Sequence, residues 1–79
     1  MTKLNDNDQL IADRIYSIRK HLNFTQQEMA DLLNTTYQYV SSLENGKRKP
    51  GYKTLQKLLT ICVNHGLAVN AEYLRPDCN

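Results

Sequence analysis

The side chains able to do chemistry gather in two short stretches of a 79-residue chain. One is Tyr37-Gln38-Tyr39 with Ser41 and Ser42, hydrogen-bonding residues set around the apolar Val40 and Leu43. The other is the run Lys47-Arg48-Lys49, with Lys53 and Lys57 behind it. A glutamine amide presents a donor and an acceptor together, and a hydroxyl serves as either. Clustered cations form a surface for phosphates or other anions. Neither stretch pairs a nucleophile with a base, and the chain has no Gly-rich phosphate loop. The two cysteines lie far apart, as do the two histidines, and together they form no metal-binding motif. We therefore expect no enzyme, no metal, no cofactor and no small-molecule ligand. A short basic run alone is weak evidence for a partner, because solvated loops look the same.

The distribution of charge says more than its sum. The net charge is +2. Residues 1–34 carry four basic and five acidic groups, net −1; residues 35–57 carry five basic and one acidic, net +4; residues 58–79 are again net −1. The positive charge sits just after the stretch that holds Gln38, as a surface approaching phosphates requires.

Those side chains need elements to position them, and residues 25 to 44 supply the elements. Thr25 with Glu28 three residues on is a capping box, and Phe24 with Met29 is placed to act as a hydrophobic staple. A first helix follows, with Met29, Ala30, Leu32 and Leu33. Asn34 accepts a left-handed turn at low cost, and Thr35 or Thr36 can cap a second helix. In that helix Val40 and Leu43 share the core-facing side. Asn45-Gly46 ends it.

The rest of the chain is helical as well. Residues 1–5 are expected to fray; Asp6, Asn7 or Asp8 can cap a helix carrying Ile11, Ile15, Ile18 and Leu22, with Leu10 beside them, ending near Asn23. Gly46 to Gly51 reads as a loop. A further helix from Tyr52 or Lys53 to about His65 buries Leu55, Leu58, Leu59 and Cys62, widened by Ile61 and Val63, and Gly66 closes it. Asn70 caps a last short helix, Ala71 to Leu74, with residues 75–79 as a short tail. Cys62 reads as a buried thiol and Cys78 as a loose one. There is no alternating strand pattern, no apolar run near 18 residues and no apolar leader at the N-terminus. The expected fold is all-α: one domain over 1–79, a compact five-helix bundle whose second and third helices form a helix-turn-helix.

The ordered set Gln26, Glu28, Ala30, Asn34, Val40, Leu43, Glu44, Asn45 and Gly46 resembles the helix-turn-helix of the lambdoid phage repressor and Cro family, of XRE type. The resemblance extends from about Arg14 to Leu74; Asn34 departs from the family's usual Gly at the turn. It implies a DNA-binding module whose third helix lies in the major groove. By that geometry Tyr37, Gln38, Ser41 and Ser42 are base-contact candidates, with Gln38 suited to adenine N6 and N7. No Arg or Lys lies on this helix, so an arginine-to-guanine contact is not available from the helix itself. The phosphate contacts implied are Gln26, Thr36, Tyr39, Lys47, Arg48, Lys49 and Lys53. The resemblance also pairs Arg19 with Glu44, a planar guanidinium on a carboxylate.

One monomer reads few base pairs. A homodimer reading a palindromic double-stranded operator, with half-sites about 34 Å apart, is the expected state. Its interface is expected at Leu67, Val69, Tyr73 and Leu74. The leading reading is a repressor in a bacterial or phage-derived cytoplasmic setting, with no membrane partner. The competing one is an antitoxin-like module that binds a partner protein and represses its own operon. Only about five residues follow Leu74, which argues against the tail such a module would use.

Overall fold

Five helices follow one another in the computed structural model, which describes residues 6–74: α1 (Asp6–His21), α2 (Gln26–Leu33), α3 (Tyr37–Glu44), α4 (Tyr52–Asn64) and α5 (Ala71–Leu74). No strand occurs among the described residues. α3 packs against both α2 and α1; α4 supports α2, and α5 closes on α1 and α4.

Local chemistry explains where each helix starts and stops. The Thr25 hydroxyl accepts from the Glu28 amide at 3.0 Å and the Glu28 carboxylate accepts from the Thr25 amide at 2.8 Å, so the capping box is complete. The Thr36 hydroxyl caps α3 by accepting from the Tyr39 amide at 3.2 Å. The Asn70 side chain caps α5 through the Tyr73 amide at 3.1 Å. α1 as described runs from Asp6, so Asp6, Asn7 and Asp8 all fall within its first turn.

The same C-terminal device closes four helices. A residue in the left-handed region donates its amide back three residues, and the next amide bonds five residues back. Asn23 (φ 63) and Asn34 (φ 58) do this after α1 and α2, Gly46 (φ 78) and Gly66 (φ 75) after α3 and α4. The diagnostic longer bonds are Phe24 to the Arg19 carbonyl at 3.1 Å, Thr35 to Ala30 at 2.9 Å, Lys47 to Ser42 at 3.0 Å and Leu67 to Cys62 at 2.7 Å. Asn34 thus makes the turn where the related family has Gly. It is one of the few side chains that tolerate that conformation.

The core runs through Ile11, Ile15, Ile18, Met29, Ala30, Leu33, Val40, Leu43, Leu55, Leu58, Ile61, Cys62 and Leu74. Burial pushes the Cys62 thiol pKa up, which keeps it protonated and inert. Leu22 and Leu59, expected at the centre, are only partly buried and pack on its margin. Val63 does not widen the α4 stripe: it is 69% exposed. Five residues beyond Leu58, it lies about 140° around the helix from the buried line. Two buried residues have no apolar pattern to announce them: Ala12, flanked by Ile11 and Asp13, and Pro50, which anchors the end of the α3–α4 loop. Cys78 and the 75–79 tail lie outside the described residues.

Candidate nucleic-acid interface

α2 packs on α3, and the small Ala30 of α2 is fully buried. Val40 and Leu43 face inward, which turns the opposite surface of α3 to solvent. Tyr37 is 49% exposed there, Gln38 is exposed, and Ser41 and Ser42 are half-buried. Gln38 and Ser42 are one turn apart on the same face. Ser41 lies one position away, and its hydroxyl accepts from the Asn45 amide group at 3.3 Å.

Tyr39 points elsewhere. It is partly buried against the core, and its hydroxyl lies 3.4 Å from the Thr54 hydroxyl at the start of α4. Its hydroxyl links α3 to α4, as edge packing would have it.

An ion pair locks the end of α3 onto α1. The Arg19 Nε donates to Glu44 Oε2 at 2.7 Å and Nη2 donates to Oε1 at 3.0 Å, with side chains 9% and 5% exposed. The remaining Nη1 donates to the Phe24 carbonyl at 2.8 Å, just ahead of the α2 capping box. One guanidinium therefore ties α1 to α3 and to the segment that leads into α2. The hydrogen bond to Glu44 pushes the Arg19 pKa up, and burial opposes this to a lesser degree. The Tyr16 ring lies 5.3 Å from the Arg19 guanidinium carbon.

Glu44 has a third partner that the sequence did not suggest. The Gln26 Nε2 donates to its Oε1 at 3.2 Å. One N–H of that amide is thereby held, and the other remains able to meet an incoming anion. Gln26 opens α2, where the helix dipole also favours an anion.

The cations divide. Lys57 is bound, its Nζ donating to the Leu33 carbonyl at 3.0 Å, which places a cation at the C-terminal end of α2. Lys47, Arg48, Lys49 and Lys53 are exposed along the α3–α4 loop and the start of α4. Arg48 lines a polar groove together with Thr35, Thr36, Gln38, Tyr39 and Ser42. The sequence reading grouped Arg48 with the loop cations and did not bring it to Gln38. The signal was present in Asn45-Gly46, because a left-handed glycine at a helix end folds the following residues back over the last turn.

The proposed dimer residues also divide. Leu67, Val69 and Tyr73 line a shallow groove against Ser17, Ile18 and His21 of α1. Leu74 is 0% exposed and belongs to the core, so it is withdrawn from any dimer surface. Its burial follows from α5 packing on α1 and α4 together. Arg14 completes that anchorage: its Nη1 donates to the Tyr73 carbonyl at 2.7 Å and its guanidinium lies 4.4 Å from the Tyr73 ring.

Two short helices in this arrangement, with a polar outward face on the second, define a helix-turn-helix protein. The chain belongs to that family: the helix-turn-helix profile matches residues 15–62. It is 35% identical over 65 residues to the uncharacterized HTH-type transcriptional regulator YqaE of Bacillus subtilis, covering 82% of this chain and 52% of that one. It is also 35% identical to the SPbeta prophage-derived uncharacterized HTH-type transcriptional regulator YonR of the same organism, covering 82% of this chain and 56% of that one. The HTH-type transcriptional regulator PuuR of Escherichia coli is 31% identical over 64 residues, covering 81% of this chain and 33% of that one. The chain thus spans about half the length, or less, of the curated relatives it matches. No solved structure matches it significantly. Among the described residues, no helix is long and apolar enough to cross a membrane.

Proposed function

We propose that this chain is a sequence-specific double-stranded DNA-binding transcriptional regulator, a homodimeric repressor that lays α3 in the major groove of a palindromic operator. The observation that carries the reading is the two-sided character of α3: Val40 and Leu43 are buried, while Tyr37 and Gln38 are exposed beside a cationic loop. An α-helix fits the B-DNA major groove with its N-terminal residues nearest the base edges. Gln26, Thr36, Lys47, Lys49 and Lys53 take phosphates and set the register; Gln38 reads a base. The groove of Leu67, Val69 and Tyr73 against α1 supports a dimer contact remote from α3.

Gln38→Ala tests the reading. Its exposure predicts that folding is unchanged. A bidentate amide-to-adenine contact contributes about 1–3 kcal/mol of discrimination, so the mutant should lose preference at one base pair in each half-site while non-specific affinity holds. The measurement compares wild type and mutant on a selected operator and on all its single-base variants. Full retention of preference at every position would remove Gln38 as a reader and leave Tyr37 and Ser42. Sedimentation of the protein alone and with operator reports the dimer; a strictly one-to-one complex with a single half-site would refute it.

A further inference from the structure

We propose that Arg48 is a base-reading side chain, recognising a guanine next to the base read by Gln38. This rests on the DNA-binding reading above and adds a specificity determinant that α3 itself lacks.

The argument begins with the backbone. In the sequence, Lys47, Arg48 and Lys49 look equivalent. The fold separates them. Gly46 adopts φ 78, and the amides of Lys47 and Arg48 both donate to the Ser42 carbonyl, at 3.0 and 3.3 Å. The chain therefore doubles back over the last turn of α3 instead of running on past its end. Pro50, fully buried, pins the other end of the loop. With both ends held, Arg48 lies beside Ser42.

Side chains then share a concavity. Arg48, Gln38 and Ser42 line one polar cavity of about 410 Å³, walled by Thr35, Thr36 and Tyr39. Arg48 is the sole charged residue among those lining it, and Lys47 and Lys49 do not take part. Arg48 and Gln38 are both exposed, and neither side chain makes a hydrogen bond among the described residues. The pair is therefore ready for an outside partner.

The chemistry selects that partner. An amide matched to adenine and a planar guanidinium fork matched to guanine O6 and N7 are the two bidentate readers of major-groove edges. A phosphate can be held by a point charge, which the neighbouring lysines already provide. An arginine that lines the same groove as Gln38, while its lysine neighbours do not, is placed to use the fork on a base.

The experiment uses the 79-residue chain. Bound sequences are selected from a random DNA pool with wild type. Affinities of wild type, Arg48→Ala and Arg48→Lys are then measured on the selected site and on each single-base variant, at several salt concentrations. The expected selected half-site carries a G·C pair within two positions of the Gln38-dependent A·T pair. Arg48→Ala should lose roughly 5- to 150-fold of discrimination at that G·C pair and little elsewhere. Arg48→Lys should keep the salt slope of wild type yet lose part of the guanine preference, since it retains charge without the fork. A uniform loss of affinity across all sequences in Arg48→Ala, with the log–log salt slope flatter by about 0.9, would make Arg48 a phosphate contact and overturn the inference. Unchanged discrimination in Arg48→Ala would overturn it too. Failure of wild type itself to select any sequence would overturn the DNA-reading function and this inference with it, so the two failures are distinguishable.

Discussion

The two ends of this small bundle are held by different physics. At the α2–α3 elbow, polar groups fix the geometry: the capping box at Thr25, the Thr36 cap, and the Arg19 guanidinium shared between Glu44 and the Phe24 carbonyl. At the far end, α5 is only four residues long and is held chiefly by one buried leucine, Leu74, with Arg14 clasping Tyr73 from outside. Hydrogen bonds are directional, so the contacts at the elbow fix angles as well as distances. Apolar contact is non-directional. It suffices to close the bundle and leaves a shallow surface at Leu67, Val69 and Tyr73.

Three substitutions test this comparison, in decreasing size of effect. Arg19→Ala leaves the 5%-exposed Glu44 carboxylate without its cation and the Phe24 carbonyl without a donor. Breaking a buried pair from one side costs about 3–5 kcal/mol, and for a chain this small we expect a melting temperature lowered by well over about 10 °C. A loss no larger than that of an exposed pair would mean that the elbow is held by packing alone. Leu74→Ala should cost about 2–3 kcal/mol, at the low end for a buried leucine because a short terminal helix can relax into the gap. Hydrogen exchange should rise first in α5 and in α1 near Arg14, with α2 and α3 protected. Loss of protection in α3 first would show that the two ends are not separate. Ala30→Leu probes how tightly α2 and α3 approach; overpacking there should cost about 1–3 kcal/mol. Melting equal to wild type would remove Ala30 as the closest point between the helices.

Much of the elbow was legible because its signals are local. Thr25, Glu28, Asn34, Thr36 and Gly46 act on backbone within a few residues of themselves, so their types and spacing announce caps and turns directly. Arg19 and Glu44, 25 residues apart, were paired through the family resemblance and not through any local rule. The far end was harder to read. Leu67, Val69, Tyr73 and Leu74 are all apolar or aromatic and close in sequence, and nothing in their order says which one turns inward. Leu74 does so because α5 meets α4 and, more than 50 residues back along the chain, α1.

The sequence by itself determined five helices, most of their ends, the main apolar line of α1 to α4 and the concentration of positive charge after α3. Each of these follows from periodicity or from a side chain bonding its own neighbourhood. Tertiary structure alone decided that Gln26 leans on Glu44, that Lys57 faces the end of α2, that Tyr39 is tied to α4 and that Leu74 is core. It also decided that Arg48, alone of its basic run, lines the groove of Gln38. A charge pattern carries no direction. Where a long flexible side chain points depends on how the backbone returns after the helix and on which surfaces the packed neighbours leave open.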